Sequence, residues 1–230
     1  MSYKELKREV FEANMELQRR NLVIYTFGNV SQIDRDKGVV AIKPSGVAYE
    51  DMKPEDIVVV DLENNIVEGT MRPSSDTKTH THLYRAFDSI GGVTHTHSTY
   101  ATAWAQAKQS IPCLGTTHAD YVYGDITCTR ELTDEQVNGD YEEETGVQIT
   151  DAYADRDPAE APMVIVAGHA PFTWGKSAAQ SVYHAALLEE IARMAYLTRT
   201  LDQNAAPLKR AVMDKHYLRK HGKNAYYGQS

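Results

Sequence analysis

Thr94-His95-Thr96-His97 places two imidazoles two positions apart. In a strand, side chains at i and i+2 project from one face, so His95 and His97 converge. Imidazole is a common ligand for zinc and similar divalent ions. The pair alone also has a bland reading, as polar surface or core filler. A third imidazole shifts the balance. His169 follows the apolar run Met163 to Ala167 and sits in Ala167-Gly168-His169-Ala170-Pro171. A Gly/Pro-bounded loop at a strand end is where a ligand belongs. Three histidines leave coordination positions open, which is the pattern of a catalytic rather than a structural metal. Asp76 is either a carboxylate for the same site or a helix cap beside Ser75.

Three short turns have the composition of an anion cradle: Phe27-Gly28-Asn29-Val30-Ser31, Lys43-Pro44-Ser45-Gly46 and Arg72-Pro73-Ser74-Ser75. Small residues let backbone N–H groups approach an anion, hydroxyls add donors, and Lys43 adds positive charge. The same residue types make ordinary turns, and none of the three is a Walker or dinucleotide fingerprint. Thr116-Thr117-His118-Ala119-Asp120 gathers polar groups after Pro112; Asp120 can exchange protons or simply close a turn. The tail from Lys215 to Tyr227 is rich in phenols and cations, and its bland reading is a frayed, solvated end. His80 shares a helical apolar face with Leu83 and Tyr84 and reads as core. His82, His184 and His221 read as surface or packing residues.

These groups need elements to position them. Leu6, Val10 and Phe11 predict an amphipathic helix over Ser2 to Gln18. Asn21 to Phe27, Val39 to Lys43, Ile57 to Val60 and Val93 to His97 read as strands. Pro73 to Asp76 starts a helix, and Thr99 to Lys108 is Ala-rich and helical. Ala161 to Ala167 reads as a buried strand, Ser177 to about Leu201 as the longest helix, and Leu208 to His221 as a shorter one. Asp134 to Asp157 is acidic and reads as loops with a short helix. Strands and helices interleave without a strict βαβ rhythm. The expected fold is α/β: a single domain with a central, mostly antiparallel or mixed β-sheet flanked by α-helices.

Composition narrows the classes. The chain has 230 residues, enough for one large domain with a core that needs no disulfide staples. Lys and Arg number 24 against 32 Asp and Glu, a net charge of −8, which opposes sequence-blind nucleic-acid binding. A small anion is not opposed, since one phosphate needs only local donors. Cys113 and Cys128 cannot make a disulfide framework or a four-thiolate zinc site. The charged start has no signal-peptide pattern, and no apolar run approaches the ~20 residues of a membrane span. The expectation is a reduced, cytoplasmic protein with neither nucleic-acid nor membrane partners.

In combination and in order, Gly28-Asn29-Val30-Ser31, Lys43-Pro44-Ser45-Gly46, Pro73-Ser74-Ser75-Asp76, His95-Thr96-His97 and Gly168-His169 resemble the class II aldolase family. Gly115-Thr116-Thr117-His118-Ala119-Asp120-Tyr121, Asp214 to Gly222, and Tyr226-Tyr227-Gly228-Gln229 resemble its epimerase branch. The resemblance spans almost the whole chain. It implies metal ligands at His95, His97 and His169, with Asp76 beside or on a zinc ion; manganese or cobalt suits the same donors. It implies phosphate and sugar contacts at Gly28, Asn29, Lys43, Ser45, Gly46, Ser74 and Ser75. The implied proton-transfer pair is Asp120 and Tyr227, supported by Thr116, Glu142, His216 and Arg219. It also implies a cyclic homotetramer in which residues from about 208 to 230 reach a neighbouring subunit's site. One departure is Ala167-Gly168-His169-Ala170-Pro171, where close family members carry His-Ser-His-Gly-Pro; the ligand position is kept.

The implied reaction interconverts L-ribulose 5-phosphate and D-xylulose 5-phosphate. In a 2-ketopentose 5-phosphate, C4–H is β to the carbonyl and cannot be removed directly, because no electron sink adjoins it. Breaking C3–C4 solves this. A base takes the C4 hydroxyl proton, the electrons flow into an enediolate, and the glycolaldehyde phosphate turns its other face before the bond re-forms. A divalent ion suits the enediolate as a Lewis acid, and a held phosphate keeps re-addition intramolecular. The alternatives are a family aldolase that releases its aldehyde, such as one acting on L-fuculose 1-phosphate, and a non-enzymatic scaffold of the same fold.

Overall fold

A computed structural model describes residues 1–222 and 225–226. The expectations placed on Tyr227 and Gly228-Gln229 lie outside the described residues. Helix α1 (Tyr3–Arg19) matches the predicted span. Its start is a capping box: Ser2 Oγ accepts from the Glu5 N–H, and the Glu5 carboxylate accepts from the Ser2 N–H at 2.8 Å. Its buried stripe is Leu6, Val10, Ala13 and Leu17.

Seven strands form one sheet: β1 (Asn29–Asp34), β2 (Val39–Ile42), β3 (Val58–Asp61), β4 (Ile66–Glu68), β5 (Gly92–His95), β6 (Met163–Ile165) and β7 (Pro171–Gly175). Their order is β4-β3-β2-β1-β5-β7-β6, and every pairing is antiparallel. The remaining helices are α2 (Thr77–Ala86), α3 (Thr99–Gln106), α4 (Thr116–Ala119), α5 (Asp134–Asn138), α6 (Tyr141–Asp151), α7 (Ala178–Leu201) and α8 (Arg210–His221). The expected α/β class and helix-flanked sheet are observed.

Strand alternation sorts the core into two faces. Val39, Ala41 and Val59 pack against Leu6 and Val10 of α1. Val40, Val58 and Val60 belong with Leu83 and Tyr84 of α2, in a larger core that also holds Ile149 of α6 and Leu188 of α7. With helices on both faces, β2 and β3 read as unbroken apolar runs.

Several expected elements differ. Asn21 to Phe27 is not a strand: Asn21 and Tyr25 adopt left-handed backbone (φ 55° and 54°), which breaks an extended run. Ile24, Tyr25 and Phe27 stand exposed, and the strand is instead the polar Asn29–Asp34, buried throughout. It tolerates burial because its polar groups are paired. The Val30 N–H donates to Asn14 Oδ1 at 2.9 Å, and Ser31 Oγ meets Tyr84 Oη at 2.8 Å. The acidic 134–157 stretch is mostly helix, because α6 docks on α2 through Thr79 Oγ1, which donates to the Glu142 carbonyl at 2.6 Å. Pro171, placed in the His169 loop by the sequence reading, instead begins the inner strand β7.

Candidate active site

The site grows from the adjoining ends of β5 and β7. His95 is the last residue of β5, and its ring stacks on Phe172 of β7, centroids 4.2 Å apart. Its Nδ1 lies 3.0 Å from the Pro171 carbonyl. A carbonyl only accepts, so Nδ1 carries a proton and Nε2 is the nitrogen turned toward the other rings. His97 lies two residues past the strand, yet its Nε2 is 3.1 Å from His95 Nε2. His169 completes the group, with ring centroids 4.9 Å from His95 and 5.2 Å from His97. One nitrogen from each of the three rings lies within 4.8 Å of the others.

This arrangement fits a divalent cation. Two imidazole nitrogens face each other at hydrogen-bond distance, and the proton of one ring is already committed to a carbonyl. The buried Nδ1 of His169 has no hydrogen-bond partner. Burial and the neighbouring His95 and His97 push His169 down to about 3. Burial and His95 lower His97 as well. Both rings are therefore neutral near pH 7, which is the form that ligates metal.

Asp76 sits at the N-cap position of α2 but makes no side-chain capping bond. Its carboxylate instead accepts from Asn29 Nδ2 at 2.6 Å. Burial opposes its charge, but His95, His80 and the Asn29 amide outweigh that and hold its pKa below the usual value. It is outside the group of three nitrogens. The Asn29 amide also donates to Ser74 Oγ at 3.0 Å, tying the first turn to the third. The second turn joins them. The Ser45 N–H donates to the Arg72 carbonyl at 2.9 Å and the Ser74 N–H to the Lys43 carbonyl at 3.0 Å.

Gly28 is fixed by its backbone (φ 76°) and by space: a Cβ there would meet Val23 Cγ1 at 2.6 Å and the His95 carbonyl at 3.0 Å. Lys43 is buried, with Nζ donating to the carbonyls of Val47 (2.7 Å) and Thr26 (3.2 Å). Burial lowers its pKa to about 8. It therefore remains mostly charged at neutral pH behind the turns.

The turns and imidazoles line one cleft of about 430 Å³. Gly28, Asn29, Lys43, Ser45, Gly46, Ser74, Ser75, Asp76 and all three histidines line it, and so does Glu142, which the resemblance grouped with Asp120. Two aromatic walls were not foreseen. Phe27 lies 6.1 Å from His97 and Tyr141 lies 6.2 Å from His169, between ring centroids. Tyr141 was hidden in the acidic stretch; its only sequence signal is its place beside Glu142.

Thr116, Asp120, His216 and Arg219 do not line this cleft. They gather where α4 meets α8. Asp120 accepts from His216 Nδ1 at 3.0 Å and from Arg219 Nη2 at 2.9 Å, and Lys220 Nζ lies 3.6 Å away. Burial alone would raise its pKa, but Arg219, His216 and Lys220 hold it below the usual carboxylate range. Four other histidines make packing contacts. His80 Nδ1 bonds Ser31 Oγ at 2.7 Å, His82 pairs with Glu143 at 2.7 Å, and His184 donates to the Trp174 carbonyl at 2.6 Å. His221 donates to the Asp120 carbonyl at 2.9 Å. Among the described residues, no helix is long and apolar enough to cross a membrane.

Residues 8–196 match the model of the class II aldolase and adducin N-terminal domain. The chain is 55% identical over 225 residues to "L-ribulose-5-phosphate 4-epimerase UlaF" of Salmonella paratyphi A, covering 98% of this chain and 99% of that one. The protein of the same name from Salmonella typhi matches to the same extent. Among solved structures, an L-fuculose 1-phosphate aldolase superposes with a TM-score of 0.80 at 27% identity, over 92% of this chain and 94% of the other.

Proposed function

The chain belongs to the class II aldolase family, and from that premise we propose that it is an L-ribulose-5-phosphate 4-epimerase, interconverting L-ribulose 5-phosphate and D-xylulose 5-phosphate by cleaving and re-forming C3–C4. The observation that carries this reading is the 55% identity with named epimerases over nearly the full length of both chains. The cleft supports it, because three converging imidazoles adjoin turns suited to a phosphate.

His95, His97 and His169 are the assigned holders of a divalent ion, zinc by preference, with Asp76 beside them. When bound, the ion supplies Lewis-acid stabilisation for the enediolate. The chain's own groups do the rest. Backbone and hydroxyl donors of Gly28, Asn29, Ser45, Gly46, Ser74 and Ser75 hold the phosphate, with the Lys43 charge behind them. Held there, the cleaved aldehyde turns without leaving, so re-addition stays effectively intramolecular. Asp120 and Tyr227 are assigned the proton transfers at the C4 oxygen on its two faces, with Thr116, Glu142, His216 and Arg219 in support.

Because Asp120 and its partners lie outside the cleft of their own subunit, we assign them to a neighbour's cleft. The active unit is then a homotetramer with sites between subunits, residues from about 208 to 230 packing at that interface, and the whole of 1–230 acting as one domain. The tight cationic hold on Asp120 makes it a weak base, so orientation across the interface has to compensate. Cys113 and Cys128 are free thiols, both pushed up to about 11 by burial, which agrees with a reducing, cytoplasmic setting.

The competing reading is a sugar-phosphate aldolase, favoured by the likeness to L-fuculose 1-phosphate aldolase. Incubation with L-ribulose 5-phosphate separates the two. The epimerase yields D-xylulose 5-phosphate, and a chelator stops it. Accumulation of free aldehyde, or turnover indifferent to chelation, overturns the assignment.

A further inference from the structure

Helix α3 begins two residues after His97, so its placement fixes the end of the segment that carries the ligand pair. Its N-terminus is capped unusually. Ser98 occupies the N-cap position with extended backbone, yet makes no side-chain capping bond. The first-turn donors are met from a distant part of the chain. Glu189, midway along α7, accepts from the Tyr100 N–H at 2.8 and 3.1 Å and from the Ala101 N–H at 2.9 Å. A carboxylate on the N–H groups of a helix start is favoured by both hydrogen bonding and the helix dipole.

The same helix is bolted to α7 one turn further on, where Trp104 Nε1 donates to the Ala192 carbonyl at 3.0 Å. At its far end it meets the third imidazole's loop: the Gly168 N–H donates to the Ala105 carbonyl at 2.8 Å, one residue before His169. Gly168 holds φ +70°, a conformation that side chains resist, so this loop is shaped to reach the helix. Helix α3 therefore spans the gap between the His95/His97 segment and the His169 loop, and α7 sets where it lies.

We propose that Glu189 is a positioning residue for the metal centre: by capping α3 from α7, it fixes the spacing of His97 from His169 through Ala105 and Gly168. The proposal rests on the reading of the three histidines as metal ligands. Groups that orient ligands from outside typically change metal affinity about 10- to 100-fold when removed. The mechanism uses no chemistry of Glu189 itself.

The test titrates the full-length, metal-free protein with Co²⁺. Affinity is read against a competing chelator and ligand geometry from the visible absorption bands, beside the thermal stability of the metal-free form. Glu189→Ala is expected to weaken Co²⁺ binding about 10-fold or more and to shift the bands, with Glu189→Gln intermediate. A fall in stability with wild-type affinity and an unchanged spectrum overturns the proposal, because a merely structural cap would behave in that way. If Glu189→Ala does not fold, Glu189→Gln and Trp104→Phe decide: a spectral shift in both supports the strut, and wild-type spectra in both overturn it. Failure of the wild-type protein to take up Co²⁺ sinks the metal reading itself, a different result from unaltered variants.

Discussion

The cleft and the Asp120 cluster are built on opposite principles. In the cleft, the chemistry-bearing groups are held by segments far apart in sequence: Asn29 on Asp76, Pro171 on His95, Phe172 stacked beneath it. Its His97 and His169 rings are held neutral near pH 7 and the buried His169 Nδ1 is without a partner, which suits a cation. At the α4–α8 junction the carboxylate is already engaged: His216, Arg219 and Lys220 all meet Asp120. Under the proposed assignment, binding and charge stabilisation are assembled within one copy of the chain, whereas the carboxylate assigned to proton transfer does not line that cleft. If that division is real, damage to the two regions should differ in kind.

The largest effect belongs to the cleft. His97→Asn removes one of three ligands, so metal content should fall to background. Loss of several kcal/mol of charge stabilisation corresponds to a drop of about 10⁴-fold or more in turnover. Elemental analysis beside the rate of D-xylulose 5-phosphate formation checks this. A variant that keeps both its zinc and its turnover removes His97 from the ligand set.

Asp120→Asn should leave metal content untouched and still cost about 10²- to 10³-fold in turnover, within the usual range for a proton-transfer group. The sharper form combines the two lesions. Each variant alone lacks one half of every site. Co-expressed with His97→Asn, however, Asp120→Asn offers intact clefts that can meet intact Asp120 clusters across an interface. Activity should return well above either parent. Mixed assemblies as inactive as the parents would mean that both halves must come from one copy, and the division between the regions would dissolve.

How far each region was legible in the sequence follows from the same difference. The clustering of His95, His97 and His169 was readable because ligand chemistry demands particular residue types at particular spacings. The turns around Gly28, Ser45 and Ser74 stood out for the same reason, as small and hydroxyl residues that now line one cleft. The strand beneath them was not readable. Asn29–Asp34 looks like a polar loop until Asn14, His80 and Tyr84 supply its partners. Asn21 to Phe27 looks like a strand because its apolar run masks the left-handed backbone at Asn21, a residue type that tolerates it, and nothing local announces the same at Tyr25. Tyr141 was invisible because α6 owes its position to α2 rather than to its own weak periodicity. Asp120 was legible only as a proton exchanger or a turn residue, and its partners came through the family resemblance, because its clamp joins residues nearly a hundred positions apart.

The smallest effect is one of pH, and it separates the regions without any mutation. In the metal-free protein, His80 and His169 are held at about 3 and His97 is lowered, in each case chiefly by burial. In the unfolded chain the same rings titrate near ~6.5. Between those values the unfolded state binds protons that the folded cleft refuses, so stability falls as pH drops below ~6.5. For a ring as fully buried as His80 the slope is about 1.4 kcal/mol per pH unit. Asp120 behaves oppositely. Its folded pKa lies below the unfolded value of ~3.9, so its contribution is complete above that pH and is lost only as pH falls through the lower, folded value. Acidifying the chelated protein from neutrality to pH ~4.5 should therefore loosen β5 and β7; His118 of α4, lowered to about 4 by burial, adds one acid-sensitive group beside Asp120, so residues 210–221 should lose protection but less than 92–97 and 171–175. Amide hydrogen exchange at a series of pH values, corrected for intrinsic rates, reads both at once. Protection lost first in residues 210–221, with 92–97 and 171–175 unchanged, would show that charge pairing rather than imidazole burial sets the acid response.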